Sequence, residues 1–312
     1  MKLVKHFLEF DGYSRKEVSQ IINSALKLKK QGYPANKPLK NKVAALIFQK
    51  PSTRTRVSFE GGLARLGGYA LYLGWQELQL GRGESVADTA RVMSRYVDCI
   101  VARVYSHATL VEMAGNSRVP VVNALSDKHH PCQALADIMT VWEYSRRLRL
   151  RNVKIAYVGD GNNVCNSLIQ ICALLGMRLS VATPREYKPD DEIVKKSLEW
   201  AGETGAVIEL LEEPDEAVKE ADFVYTDVFI SMGQEEERQR RIEAFLPKYQ
   251  VNRKLLSHAK PHVRFMHCMP MHVGEEVTAD VAYSDFSIIY DQAENRMHTE
   301  ASLLLYLLRG RG

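Results

Sequence analysis

The sequence lacks any run near the roughly 18 consecutive apolar residues a membrane-spanning helix needs, so no transmembrane segment is expected. Its start, Met1-Lys2-Leu3-Val4-Lys5-His6, has charges but neither an apolar core nor a small-residue cleavage site, so no secretory signal is expected. A strong charge bias is also missing. The 42 basic and 38 acidic residues leave a net charge of +4, compatible with an anionic small molecule but too weak to argue for nucleic acid. No repeat of about 20–50 residues and no low-complexity segment occurs. No Cys-x-x-Cys pair is found either. The five cysteines, Cys99, Cys132, Cys165, Cys172 and Cys268, are odd in number and widely spaced. A disulfide framework is therefore not expected, and a reducing cytoplasm is the simplest location. Most of these thiols read as small buried hydrophobes, with Cys268 the exception.

What is present fits a globular α/β protein. The 312 residues, 46% of them hydrophobic, suffice for two domains or one large one and exclude a disordered or fibrous chain. Short apolar runs alternate with longer amphipathic stretches, which points to mainly parallel sheets flanked by helices. Strands are expected at Val43–Phe48, Ala70–Leu73, Ile100–Val104 and Val119–Ala124, with helices at Arg56–Leu66, Ser85–Tyr96 and Pro131–Tyr144. A second series places strands at Lys154–Val158, Leu179–Ala182, Val207–Leu210, Phe223–Thr226 and Val263–Met266. Its helices fall at Val164–Leu175, Asp191–Glu203 and Asp215–Ala221. The basic stretch Arg146–Arg151 marks the boundary, giving domains over 1–148 and 149–294. A last apolar helix, about 295–312, is assigned back to the first domain, although periodicity does not decide its partner.

The most informative segment is Lys50-Pro51-Ser52-Thr53-Arg54-Thr55-Arg56, directly after the first strand. Pro51 keeps Lys50 extended, and Ser52 or Thr53 then caps a helix whose apolar stripe includes Phe59, Leu63 and Leu66. A helix start offers unpaired N–H groups and a positive dipole end, so hydroxyls and an arginine beside it suit a phosphate. Arg56 and Glu60, spaced i,i+4, read as an ordinary surface pair. Arg54 is different: a cation is disfavoured in a first turn unless an anion arrives there.

Two other chemistries are disfavoured. Gly159-Asp160-Gly161-Asn162-Asn163-Val164 follows a strand and opens a helix, but Val164 stands where a dinucleotide fingerprint has its third glycine. The next strand also ends in Ala182-Thr183-Pro184, without an acid for a ribose, so nicotinamide binding is not expected, and the alternative reading of Asn162 and Asn163 is as turn formers only. The groups His267, Cys268, His272 and His129, His130, Cys132 lack a recurrent zinc spacing, so no metal is expected, and His129 reads as a bystander. Asp227 could be a surface acid or helix cap. Asp227, Arg103, the Ser52–Thr55 loop and Cys268 nevertheless all fall at carboxyl ends of strands, where open α/β sheets bind ligands. That shared location predicts one cleft between the domains.

Ser52-Thr53-Arg54-Thr55-Arg56, His130-Pro131-Cys132-Gln133 and His267-Cys268-Met269-Pro270, in this order, resemble the aspartate/ornithine carbamoyltransferase family. Asp227-Val228-Phe229-Ile230-Ser231-Met232-Gly233 and Gly159–Asn163 narrow the resemblance to its ornithine-using branch. The resemblance runs from Pro51 to Arg296. It implies carbamoyl phosphate bound by Ser52, Thr53, Arg54, Thr55, Arg103, His130, Gln133 and Arg296 of the first domain together with Cys268 and Met269, with Gln79 offered to a neighbouring subunit's site in family trimers. It implies ornithine held by Asn163, Asp227, Ser231 and Met232. Arg103, His130, Asp227 and Cys268 are the residues it marks as catalytic. Met269 replaces a leucine of the family, and Val273 stands where relatives often carry a basic residue. The implied reaction moves a carbamoyl group from carbamoyl phosphate to the δ-amine of ornithine, giving citrulline and phosphate in arginine metabolism. It implies no cofactor and a homo-oligomer, a trimer or a multiple of one. Putrescine, an N-acylornithine or aspartate remain alternative acceptors, and a non-catalytic anion-binding module or a nicotinamide oxidoreductase are readings of another class.

Overall fold

The computed structural model describes residues 4–145, 150–231 and 235–309. The chain sorts into two compact units, one of Met1–Met139 with Glu294–Gly312 and the other of Thr140–Ala293. The boundary expected at 148/149 lies outside the described residues. Each unit is built on one all-parallel sheet, the fold class that the alternation of elements implied.

In the first unit, helix α1 (Arg15–Gln31) opens on a capping box of Ser14 with Glu17 and buries Val18, Ile21, Ile22, Ala25 and Leu28. Strand β1 (Val43–Phe48) leads into α2 (Thr53–Arg65) and β2 (Tyr69–Gly74). Then come α3 (Val86–Met93), β3 (Cys99–Arg103), α4 (His107–Asn116), β4 (Val121–Leu125) and α5 (Pro131–Tyr144), which counts with this unit up to Met139. The sheet order is β2-β1-β3-β4. The chain steps from β1 out to β2, then returns to the other side of β1 for β3 and β4. Central β1 and β3 are buried nearly throughout, as strands covered on both faces must be, whereas edge strand β2 leaves Tyr69 and Leu71 exposed.

The second unit holds β5 (Lys154–Val158), α6 (Asn163–Leu175), β6 (Arg178–Ala182), α7 (Asp191–Thr204), β7 (Val207–Leu211), α8 (Pro214–Val218) and β8 (Phe223–Thr226). It continues with α9 (Arg238–Phe245), α10 (Arg253–Leu256), β9 (Arg264–His267) and α11 (Ala279–Ala282). Here the order is β7-β6-β5-β8-β9, with the same reversal between β5 and β8. Every residue of α6 after Asn163 is buried, so this helix is apolar all round rather than striped. Helix α12 (Ile289–Leu308) closes the described chain and counts with the first unit from Glu294 on. There it lies close on α2. A Cβ on Gly62 would stand 3.1 Å from the Met297 carbonyl oxygen and 3.2 Å from Ala301 Cβ. It is also tied to α1, by Ser302 Oγ donating to the Ile21 carbonyl at 2.7 Å.

The expected strands are all observed, with ends shifted by one or two residues as helix and strand termini commonly are. Expected helices α3 and α8 end sooner, and α12 begins six residues before 295. The sequence reading did not include α1, α4, α9, α10 or α11. For α1, the Ser14-x-x-Glu17 capping box was an available signal. In helix α9, Arg, Gln and Glu outnumber the apolar Ile242, Ala244 and Phe245, so its periodicity is faint.

The two glycines that imitated a dinucleotide fingerprint have structural reasons. Gly159 sits at φ +143°, a conformation side chains disfavour. A Cβ on Gly161 would fall 2.3 Å from the Lys188 carbonyl carbon and the Pro189 nitrogen, and Gly161 N–H donates to the Tyr187 carbonyl at 2.8 Å. This turn therefore needs glycine in order to pack on residues 187–189.

Candidate active site

In each unit the strand order reverses once. Ser52, Arg103 and Asp227 lie at or just past the carboxyl ends of the strands flanking that reversal, whereas His130 and Gln133 follow β4 and Cys268 follows β9. In the first unit the flanking strands are β1 and β3. Ser52 caps α2 just after β1, its side chain accepting from Thr55 N–H at 3.3 Å while its hydroxyl donates to Thr55 Oγ1 at 3.1 Å. Thr53 and Arg54 are exposed in the first turn, which has no acidic residue, and Thr55 is buried. Arg103 ends β3 and is buried, at a point where the pairing with β4 shifts register between Ala102 and Arg103. Such an irregularity is a recurrent way to re-aim a side chain beside a site.

Arg296 of α12 joins this group. Its Nη2 donates to Thr55 Oγ1 at 3.2 Å and its Nη1 to Gln133 Oε1 at 2.9 Å. Its Nε donates to Glu300 Oε1 at 2.8 Å, and Nη2 lies 2.6 Å from the same oxygen. Gln133 in turn donates to Asp137 Oδ1 at 2.8 Å. Burial pushes Glu300 up to about 6, against the downward pull of Arg296. His130 stands at the entry to α5, where its carbonyl accepts from Gln133 and Ala134 N–H and Pro131 takes the first helical position. Its buried ring is held well below the ordinary histidine value by desolvation first, then by the positive charges of Arg296 and Arg103. Thr55, Arg103, His130, Gln133 and Arg296 thus form one buried group with two guanidiniums, suited to an anion. Arg56 is the surface pair its spacing suggested, bonded to Glu60 at 3.0 Å and stacked 3.9 Å from the centre of the Tyr72 ring. Gln79 takes no part in these bonds. It is exposed in the turn Gln79–Arg82 after β2.

In the second unit the flanking strands are β5 and β8. Asp227 follows β8 and is buried. Its Oδ2 accepts from Asn162 Nδ2 at 2.8 Å, and its Oδ1 accepts from the Cys268 thiol at 3.0 Å. Asn162 also caps α6, its Oδ1 accepting from Val164 N–H at 2.9 Å and Cys165 N–H at 3.2 Å. Asn163, which the resemblance assigns to ornithine, opens α6 beside it. Cys268 is the half-buried thiol, whereas Cys99, Cys132, Cys165 and Cys172 are buried, as expected. Met269 adopts φ +56°, unusual for a residue with a side chain, and its N–H donates to His267 Nδ1 at 2.8 Å. The other ring nitrogen of His267 faces Glu276 at 3.2 Å. Ser231 is half-buried at the end of the Asp227 loop, and Met232 lies outside the described residues.

Sequence reasoning missed the partners that hold these side chains, Glu300, Asp137 and Asn162, and also Arg241. Arg241 Nη1 bonds the Asp160 carboxylate at 3.0 Å and the Phe229 carbonyl at 2.9 Å, so it joins the loop after β5 to the loop after β8. Burial pushes Asp160 up to about 7, while Arg241 pulls it down. Gln133–Asp137 and Arg296–Glu300 are i,i+4 pairs within one helix, whereas Asn162–Asp227 and Arg241–Asp160 join residues distant in sequence, so no local spacing carries those two.

Comparison with known proteins agrees with this geometry. Residues 5–143 match the family model "Aspartate/ornithine carbamoyltransferase, carbamoyl-P binding domain", and residues 151–307 match "Aspartate/ornithine carbamoyltransferase, Asp/Orn binding domain". The chain is 52% identical over 307 residues to an ornithine carbamoyltransferase of Archaeoglobus fulgidus, with 98% of each chain covered. It is 52% identical over 301 residues to the anabolic enzyme of Pyrococcus furiosus, covering 96% of this chain and 94% of the other. The solved ornithine carbamoyltransferase of Pyrococcus furiosus superposes with a TM-score of 0.94 at 50% identity, and the ornithine transcarbamoylase of Giardia lamblia with 0.90 at 34%, each with full coverage of both chains. The chain belongs to the aspartate/ornithine carbamoyltransferase family.

Proposed function

We propose that the chain transfers the carbamoyl group of carbamoyl phosphate to the δ-amine of L-ornithine, releasing L-citrulline and phosphate. The observation that carries this reading is the division of charge between the units. The buried group of the first is cationic, around Arg103 and Arg296, and suits a phosphate ester. The buried group of the second is built around the Asp227 carboxylate and suits an amino acid's ammonium group. Carbamoyl phosphate is assigned to Ser52, Thr53, Arg54, Thr55, Arg103, His130, Gln133 and Arg296, with Cys268 and Met269 contributing. Ornithine is assigned to Asn163, Asp227, Ser231 and Met232, with Asn162 orienting Asp227.

A free alkylamine has a pKa of about 10.4 and is largely protonated at neutral pH. It releases one proton to water before it reacts, and Asp227 and Cys268 orient it. The neutral nitrogen then attacks the carbonyl carbon, the new C–N bond forms, and the C–O bond to phosphate breaks. The departing phosphate takes up the second proton, which the nitrogen loses as the C–N bond forms. Negative charge that develops on the carbonyl oxygen is met by Arg103, Thr55 and His130, whose hydrogen bonds strengthen in the transition state. The α2 start and Arg103 hold the leaving phosphate. Cys268 forms no covalent intermediate in this scheme, and no step calls for a metal or organic cofactor. Much of the remaining acceleration comes from orienting two bound substrates.

The family's trimer is the assembly we infer. It is supported by the exposed Tyr69 and Leu71 on edge strand β2 and by exposed Gln79 in the turn beyond, the residue assigned to a neighbouring subunit's site. The five free thiols support a reducing cytoplasm. Among the described residues, no helix is long and apolar enough to cross a membrane.

A citrulline assay offering ornithine, putrescine, N-acetylornithine and aspartate side by side tests the reaction, and turnover with ornithine alone is expected. In that assay Arg54→Ala is expected to lower kcat/KM for carbamoyl phosphate by about 100-fold or more, and Cys268→Ala to lower kcat by about 10- to 100-fold while leaving measurable turnover. Calorimetry showing unchanged carbamoyl phosphate affinity in the Arg54 variant would remove the phosphate assignment. Because desolvation and the two arginines depress its pKa, His130 should stay neutral as pH falls through 6.5 and protonate only well below it. Its imidazole resonances, followed by NMR, should therefore not shift between pH 8 and about 6, and a midpoint near 6.5 would contradict the buried position. Light scattering is expected to give three times the chain mass or a multiple of that, and a monomer at working concentration would count against the shared site.

A further inference from the structure

We propose that Glu9, His107 and His129 form a zinc site in the first unit. The three come from separate segments: Glu9 precedes α1, His107 opens α4, and His129 lies just before α5. Each offers one ligand atom, and the three atoms all lie within 4.8 Å of one another. His129 Nε2 stands 3.6 Å from Glu9 Oε2, and the two imidazole rings meet edge-on with centroids 5.0 Å apart. A tetrahedral zinc with bonds of about 2.0–2.1 Å keeps its ligand atoms roughly 3.3–3.4 Å apart. The Glu9–His129 pair already has nearly that spacing, so small side-chain rotations close the group on an ion.

The supports behind these ligands are in place. The segment carrying Glu9 is bound to β4, with Phe7 N–H donating to the Val121 carbonyl and Asn123 N–H donating to the Phe7 carbonyl, both at 2.8 Å. The Asn123 side chain donates to the Leu8 carbonyl at 2.8 Å and reaches the His129 carbonyl at 3.4 Å, which fixes the backbone beside two of the ligands. Ser126 Oγ accepts from His129 N–H at 3.3 Å and lies 3.0 Å from His107 Nδ1. With Nδ1 so occupied, Nε2 of His107 is the nitrogen directed to a metal, the outer contact that commonly orients a histidine ligand. His107 N–H donates to Asp127 Oδ1 at 2.7 Å and fixes the start of α4.

Two imidazoles and a carboxylate suit zinc, whereas calcium and magnesium prefer oxygen throughout. Water takes the fourth position. The ion would join the chain at residue 9 to the loop that carries His130, one residue past a ligand, and so stiffen the entry to the anion-binding group. Sequence spacing hides the site, because Glu9 is far from both histidines and no short motif joins them. Among the described residues, two other groups compete for such an ion: Asp227, His267 and Cys268, and His272, Glu275 and Glu276.

The test is calorimetric titration of the chelator-treated full-length protein with Zn²⁺, and in parallel with Co²⁺ read by its visible absorption. One saturable ion per chain and tetrahedral cobalt bands without a sulfur charge-transfer band are expected. Glu9→Gln and His107→Gln should each weaken binding by about tenfold or more, and Cys268→Ser should leave affinity unchanged. Glu9 is half-buried at the surface, so its variant serves even if a change at buried His129 impairs folding. No saturable binding, undiminished affinity in Glu9→Gln, or loss of binding in Cys268→Ser would each overturn the proposal.

Discussion

The first unit depends on a buried cation, Arg296, being held by Glu300. Alone in that interior, either charge would be strongly unfavourable, and breaking such a pair typically costs about 3–5 kcal/mol. One turn of α12 separates the two, so the helix itself brings the carboxylate to the guanidinium. With Nε and one face of Nη2 so engaged, the remaining donors of Arg296 reach Thr55 on α2 and Gln133 on α5. Three helices that meet nowhere in sequence are thereby set in register around one charge. Burial first, and then this charge with that of Arg103, holds His130 well below the ordinary histidine value, so the group presents two fixed cations beside a hydrogen-bonding ring that resists protonation.

The second unit solves the inverse problem. Asp227 keeps its carboxylate in a buried position because Asn162 donates to one oxygen and Cys268 to the other. Asn162 is itself held by capping α6, so one side chain orients the acid and starts the helix. Beneath it, the Asp160–Arg241 bond reaches across from the β5 loop to the Phe229 carbonyl and steadies the segment that follows Asp227. Gly161 permits the close packing on which that arrangement rests.

Both groups occupy corresponding places. In a doubly wound parallel sheet the helices before and after the reversal lie on opposite faces, so the loops leaving the two central strands separate and open a crevice. The Ser52 and Arg103 positions share one such crevice, and the Asn162 and Asp227 positions the other. Strand order therefore decides where chemistry is located, and side-chain type decides which substrate each unit takes.

Much of this was legible in the sequence. Unbroken apolar runs such as Val43–Phe48 mark strands buried on both faces, because periodicity of two is lost only when neither face meets water. The helix start at Ser52 and the location of Arg103, Asp227 and Cys268 at strand ends follow from local patterns in the same way, and the ordered motifs carry the family resemblance. What the sequence could not decide is which distant residues meet. Arg296 on Thr55 and Gln133, Asn162 on Asp227, Arg241 on Asp160, and Glu9 beside His107 and His129 are all products of packing. The physical reason is range. Hydrogen-bonded turns, caps and hydrophobic periods act over a few residues and leave a local imprint, whereas a buried charge is stabilised by whatever partner the tertiary fold brings within about 3 Å, at any separation along the chain.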